Sequence, residues 1–177
     1  MDVLEDLKDF EPDLNESKLT KTLIFIIAMF MLIIFLVYMF NDALDLHSII
    51  KSNKVKENEI DFTVNKKLIF QNSTLEILKA TYLENQKTEF KACLIADKIE
   101  DIYYINDIYF PKIYSQSFNQ VVSEPCPKFA IIDLHSHPFK QCIASQQDFK
   151  TFNNFKESNP EALMVIMCTE SRFSVYN

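Results

Sequence analysis

The sequence predicts a mixed α/β (α+β) domain that is preceded by one transmembrane helix. Residues 23–40 form a run of 18 apolar residues that contains no charge. After residue 57, segments with the two-residue hydrophobic period of a strand alternate with segments of helical period. The chain has 177 residues, 48% of them hydrophobic and 24% charged, which is enough for one folded domain and an appendage.

The N-terminal third is predicted to hold a tail, a membrane span and a linker. Residues 1–22 form an acidic tail, with seven carboxylates against three lysines. Residues 23–40 would extend about 27 Å as an α-helix, close to the thickness of the hydrocarbon core. A buried core helix is the alternative, but a small domain cannot cover a helix that is apolar on every face. A cleaved signal peptide fits poorly, because the preceding stretch is acidic and no small-residue cleavage site follows. Residues 41–56 are a polar juxtamembrane linker.

The remaining residues, 57–177, are predicted to form one domain of strands and two helices. The pattern predicts a strand at 59–64, a helix over most of 67–83, strands at 89–96, 99–104 and 108–114, and a loop at 121–127. Asp97-Lys98 and Asn106-Asp107 are predicted to form the turns between these strands. A buried strand at 129–134, a helix at 146–157 and a hairpin of 162–168 with 173–176 complete the domain.

Charge and cysteine usage narrow the class of protein. A net charge of −7 and a single arginine, Arg172, argue against a nucleic-acid partner. The cysteines at positions 93, 126, 142 and 168 show no CxxC spacing, so we interpret them as single thiols of a reducing compartment. Glycine is absent, so each turn with a positive φ must be made by Asn, Asp or a longer loop.

One short stretch carries the candidate chemistry. His135 and His137 are two residues apart at the end of the predicted strand, so both imidazoles can point to the same side. Seven residues later comes Ser145, a candidate helix N-cap, followed by Asp148. Two imidazoles and one carboxylate, with a fourth position open for water, are the usual ligands of a catalytic zinc ion. The sequence therefore predicts a Zn²⁺ site at His135, His137 and Asp148.

This stretch resembles the motif of the JAMM (MPN+) metalloprotease family, which is His-x-His, seven residues, then Ser-x-x-Asp, with a glutamate far upstream. The match has no spacing error and includes His135, Ser136, His137, Pro138, Ser145 and Asp148. The predicted element order is also similar to that of an MPN domain. The resemblance implies an MPN-type mixed sheet flanked by helices for 57–177 and nothing for the first 55 residues.

The resemblance also implies a catalytic glutamate on the strand after the first helix. Glu89 fits, because it begins the apolar segment 89–96, whereas its rivals Glu84 and Glu100 begin no such segment. It would act as the acid/base that moves the proton of the attacking water. Ser145 would contact the tetrahedral intermediate, cap the helix, or do both. Three family glycines are replaced by Ala92, Ala96 and Asp133, and we expect Asp133 to face away from the metal.

Together these features predict a membrane-anchored zinc metalloprotease. By resemblance, the enzyme would be an isopeptidase acting at the C-terminus of a ubiquitin-like modifier. A zinc peptidase for other peptides and a catalytically inactive MPN scaffold are the alternatives. Three lysines flank each end of the apolar run, so charge does not set the orientation. Unpaired thiols and a ubiquitin-like substrate predict that the catalytic domain is cytoplasmic.

Overall fold

The computed structural model describes residues 18–177, so most of the predicted acidic tail (1–22) lies outside the described residues. Helix α1 spans Lys18–Lys51. Its part Lys18–Phe40 is long and apolar enough to cross a membrane, and the side chains along it are exposed. The helix continues through most of the predicted linker. The chain divides into two compact units between Ala43 and Leu44, and every element after α1 belongs to the second.

The second unit is built on a mixed eight-stranded sheet in the order β1-β10-β9-β8-β4-β5-β3-β2. A separate hairpin, β6-β7, follows β5 along the chain. The strands are β1 Asn53–Lys54, β2 Glu59–Asp61, β3 Lys67–Phe70, β4 Lys91–Ile99, β5 Ile102–Tyr109, β6 Ile113–Gln116, β7 Val121–Ser123, β8 Ile132–Ser136, β9 Leu163–Thr169 and β10 Arg172–Tyr176. The remaining helices are α2, Thr74–Glu84, and α3, Gln146–Ser158, together with a 3₁₀ turn at Pro138–Lys140.

Hydrophobic side chains cover both faces of this sheet. Neighbouring residues of β4 divide between the faces: Leu94 belongs to the cluster that contains α2, and Cys93 to the cluster that contains α3. The helix α3 contributes Phe152 and Phe155 to the second cluster. Alternation along the strand produces this division. The predicted mixed α/β architecture, a sheet flanked by helices, is therefore confirmed at this level.

Several predicted elements have different bounds. Residues 67–70 form β3 rather than the start of a helix, because they pair in parallel with β5. β5 continues through Asn106-Asp107, which makes no turn, and the β4–β5 turn lies at Glu100-Asp101 instead of Asp97-Lys98. The predicted loop at 121–127 begins with β7. The strand predicted at 129–134 is β8, and Phe129 lies outside it with 64% of its surface exposed. The predicted α3 and closing hairpin are confirmed.

The interpretation of the cysteines as single thiols is wrong. Cys93 is bonded to Cys126, and Cys142 is bonded to Cys168. The partners are 33 and 26 residues apart in sequence, so no short spacing motif marks them. Each pair comes together because the sheet places distant segments side by side. The argument from unpaired thiols for a reducing compartment therefore loses its basis.

The turns of this glycine-free chain place unexpected residues at positive φ. Glu57, Asn72, Glu100 and Phe139 have φ between 54° and 60°. Asn72 is of the expected type, since asparagine tolerates this region well. The two glutamates and Phe139 are not, because a Cβ atom makes the left-handed region unfavourable by about 1–2 kcal/mol.

Candidate metal centre and acid/base

The two histidines of the motif lie where β8 ends. His135 is inside β8, and the backbone amide of His137, one residue beyond it, donates to Met167 O of the neighbouring β9 at 3.0 Å. Both side chains are buried, and their ring centroids are 5.0 Å apart. The two-residue spacing thus brings both imidazoles to one side of the sheet, as predicted.

Asp148 reaches these imidazoles from the first turn of α3. Its Oδ1 lies 3.3 Å from His135 Nε2, and its Oδ2 lies 3.4 Å from His137 Nε2. Ser145 is the N-cap: its Oγ accepts from the Asp148 amide at 3.2 Å, while Asp148 Oδ2 accepts from the Ser145 amide at 2.6 Å. This reciprocal capping box fixes the carboxylate relative to the backbone. The predicted capping role of Ser145 is confirmed.

These three side chains fit a metal ion. One potential ligand atom from each lies within 4.8 Å of the others. His135 Nε2 is buried and makes no hydrogen bond within the described part of the chain, although a buried polar atom normally has a partner. A cation would satisfy it together with the carboxylate. Two nitrogens and one oxygen suit Zn²⁺.

The surroundings of Asp148 favour the ionised form of its carboxyl group. Burial alone would raise the pKa of this carboxyl group. The contacts with the imidazoles of His135 and His137 and with the backbone amide of Ser145 outweigh burial and hold the pKa well below its usual range. Asp148 is therefore a carboxylate at any pH near neutrality, which is the form that binds a metal.

Glu89 lies beside this cluster, two residues before β4 begins. The prediction placed it on the strand, but β4 starts at Lys91. The Glu89 side chain is buried, and its Oε1 is 3.8 Å from His137 Nε2. Burial raises the pKa of Glu89 to about 7; the nearby His137 opposes this rise and Asp148 adds to it. A carboxyl group with a pKa near neutrality can both accept and return a proton.

The rival glutamates are remote from this arrangement. Glu84 is exposed at the end of α2, and Glu100 is exposed in the β4–β5 turn. Neither lines the cleft that contains Glu89, His135 and Asp148. Glu89 is thus the one of the three predicted candidates that lies at the cluster.

Ser136, between the two histidines, holds the Glu89 segment in place. Its Oγ accepts from the Phe90 amide, and its own amide donates to Phe90 O, both at 2.9 Å. The Glu89 amide donates to Ser117 O at 2.8 Å. The motif match included Ser136 without giving it a role, because its partner is 46 residues away in sequence.

The loop between His137 and Asp148 is tied to the two strands at the end of the chain. The disulfide bond joins Cys142 to Cys168 at the end of β9. Ser174 Oγ of β10 donates to Cys142 O at 2.6 Å, and the Ala144 amide donates to Tyr176 Oη at 3.1 Å. These contacts fix the path of the chain between the candidate ligands His137 and Asp148.

A cleft of about 290 Å³ opens beside the cluster. Residues 119–123 of the β6–β7 hairpin and Gln147 and Thr151 of α3 form its sides. Asp133 also lines it, which corrects the expectation that this side chain faces away from the metal. The reason is the strand period: Asp133 is two residues before His135 and therefore lies on the same face of β8.

In comparisons with known proteins, no family model matches the chain and no curated protein matches it.

Proposed function

We propose that the domain is a zinc-dependent hydrolase of amide bonds, held at a membrane by α1. The observation that carries this proposal is the convergence of His135, His137 and Asp148 with the protonatable carboxyl group of Glu89, which lies 3.8 Å from His137. A structural zinc site would normally have four protein ligands. Three ligands next to an open cleft and an acid/base are typical of a catalytic site.

The roles of the residues follow from their positions. His135, His137 and Asp148 would hold Zn²⁺, which when bound supplies a Lewis acid that polarises an amide carbonyl and activates water. Glu89 Oε1 accepts the proton of the attacking water and then delivers it to the nitrogen of the leaving amine. Ser145 is exposed next to Asp148, and its hydroxyl hydrogen is available to a substrate oxyanion while its oxygen caps α3.

Two substrate classes fit this chemistry. The resemblance to the JAMM family favours an isopeptide bond at the C-terminus of a ubiquitin-like modifier. The two disulfide bonds favour the other class, an extended peptide outside the cytosol, because disulfides persist in oxidising compartments. We infer that the domain lies on the oxidising side of the membrane, in place of the cytoplasmic location that the thiols had suggested.

Zinc content and cleavage of a substrate panel test the proposal. Purified full-length chain in detergent should hold one Zn²⁺ and cleave either ubiquitin-like fusions or plain peptides. Glu89→Gln should retain the zinc while turnover falls by several orders of magnitude, since proton transfer is lost but no ligand is. Zinc without cleavage of any substrate would support the inactive scaffold, and no zinc would remove the metal centre altogether.

Protease protection on sealed cells, or on vesicles whose outer face is the outer face of the cell, tests the compartment. We expect external protease to digest residues 57–177, and ubiquitin-like conjugates would then be poor candidates for the substrate. In a host that glycosylates, the sequon Asn72-Ser73-Thr74 provides a second test of the compartment, because glycosylation of Asn72 requires a luminal domain. Complete protection with unmodified Asn72 would place the domain in the cytoplasm, as the sequence had suggested.

A further inference from the structure

A buried ion pair lies in the cleft beside the candidate ligands. Lys91 Nζ donates to Asp133 Oδ2 at 2.9 Å, and less than a tenth of each side chain is exposed. Both residues line the same cleft as Glu89, His135 and Asp148. The second oxygen, Asp133 Oδ1, is buried and has no hydrogen-bond partner in the described part of the chain.

Stability does not explain this pair. Desolvating two charges offsets most of their attraction, and apolar residues of similar size are often as stable in their place. The unpartnered Oδ1 adds a further desolvation cost. The sheet neighbours of Asp133 are the apolar Cys93 and Met164, and the sheet neighbour of Lys91 is His135. The position of the pair in the cleft points instead to a role in ligand binding.

We propose that Lys91 and Asp133 form a subsite that selects a carboxamide side chain, Asn or Gln, near the scissile amide; this rests on the proposed hydrolase function. An ammonium group has three N–H donors, and Asp133 takes one of them. Another can donate to the carbonyl oxygen of a carboxamide. The N–H of that carboxamide can donate to Asp133 Oδ1 once the carboxylate turns toward the cleft, because Oδ1 has no accessible surface in this structure. One planar group thereby satisfies both members of the pair.

Charged substrate side chains fit the subsite less well. A carboxylate would compete with Asp133 for Lys91 and would stand beside the further carboxyl groups of Glu89 and Asp148. A cation would compete with Lys91 for Asp133. A carboxamide is neutral and disturbs neither partner, while an apolar side chain would leave the buried polar atoms unpaired.

The position of the pair sets which substrate residue it contacts. Asp133 precedes His135 by two residues on β8, which corresponds to about 6.6 Å along a strand. An extended peptide repeats its side chains on one side at a similar spacing. For a peptide that runs alongside β8, the selected residue is within two positions of the bond that is cleaved.

The test uses the zinc-loaded full chain in detergent and internally quenched peptides. The peptides carry Gln, Met, Glu or Lys in turn at each of the two positions on either side of the cleaved bond. At one position, kcat/KM for Gln should exceed that for the isosteric Met by about tenfold or more, mainly through KM. Lys91→Met with Asp133→Leu should abolish or reverse this preference, whereas Lys91→Gln with Asp133→Asn should retain part of it.

A second ion pair provides the matched control. Lys98 lies at the other end of β4 and pairs with Glu161 outside the cleft, so Lys98→Met with Glu161→Leu should leave the preference unchanged. Zinc content and unfolding temperature are measured for every variant. If the apolar variant does not fold, the Gln/Asn variant carries the test, and a preference equal to that of wild type would overturn the subsite.

The possible failures are distinguishable. If the wild type cleaves neither ubiquitin-like fusions nor peptides, the proposed function fails and the subsite fails with it. If it cleaves the fusions but none of these peptides, the subsite is overturned while the hydrolase function stands. If the wild type cleaves peptides but does not prefer Gln at any position, the subsite is overturned while the hydrolase function stands. If Lys91→Met with Asp133→Leu folds and keeps the preference for Gln, the proposed subsite is also overturned.

Discussion

Replacing Glu89 by Gln should stabilise the metal-free protein at neutral and alkaline pH. In the folded state burial raises the pKa of Glu89 from 4.5 to about 7. Between these values the folded chain binds more protons than the unfolded chain, so the free energy of unfolding falls as pH rises. This loss of stability is complete above pH 7 and amounts to at most about 3 kcal/mol. Each tenfold difference between the proton affinities of Glu89 in the folded and unfolded states contributes about 1.4 kcal/mol.

Gln has nearly the same shape as Glu and does not ionise, so the free energy of unfolding of the variant does not fall in this way as pH rises. Wild type and Glu89→Gln should have similar stability near pH 4.5, and the variant should be more stable at pH 8. For a domain of this size, about 3 kcal/mol corresponds to a rise of roughly 10 °C in melting temperature. The assay is calorimetric unfolding of chelator-treated protein in detergent between pH 4.5 and 8.

Two controls make this experiment decisive. Glu84→Gln removes the same charge at an exposed position of α2 and should produce no such divergence from wild type. Added Zn²⁺ should shrink the difference between wild type and Glu89→Gln, because a nearby cation favours the carboxylate. A difference that is constant across the pH range would refute the argument that burial raises the pKa of Glu89.

Three further predictions concern the ligands and their support. His135→Ala should abolish zinc binding and activity, and a full equivalent of zinc in the purified variant would refute the ligand assignment. Replacing either disulfide by two alanines should cost about 3–4 kcal/mol, from loops closed across 26 or 33 residues. Only the loss of the Cys142–Cys168 bond should also weaken zinc binding in a competition titration, because Cys142 lies between the candidate ligands His137 and Asp148 in the chain. Equal weakening by both disulfide replacements would contradict this prediction. Ser145→Ala should lower stability by about 1 kcal/mol through the lost cap and kcat by about 10²–10³ through the lost hydroxyl, while an unchanged kcat would restrict Ser145 to capping.

The cluster of candidate metal ligands could be predicted because its geometry is local. A strand places residues two apart on one side, and a capping box joins residues three apart at a helix start. His135, His137, Ser145 and Asp148 follow these two rules directly. The same period of two places Asp133 on the face of His135, so the orientation of Asp133 is encoded locally as well.

The remaining features depend on contacts between distant segments. Residues 67–70 form a strand because β5 lies beside them, although their hydrophobic pattern also continues into a helix. The disulfide partners and the contact of Ser136 with Phe90 join segments 26 to 46 residues apart. No local period encodes such pairings, so the position of Glu89 before β4 and the oxidised cysteines emerged only from the fold.

The capping box also determines how Asp148 can bind a metal. Its Oδ2 already accepts the Ser145 amide at 2.6 Å, and losing that bond would leave a helix N-terminal amide without its cap. Oδ1 carries no such bond and lies 3.3 Å from His135 Nε2. We therefore expect Asp148 to offer Oδ1 to an ion while Oδ2 keeps the helix start in place. Because the same side chain caps α3 and is a candidate metal ligand, the start of α3 and the candidate ligand cannot move independently. Substitutions that weaken the cap should therefore weaken metal binding as well.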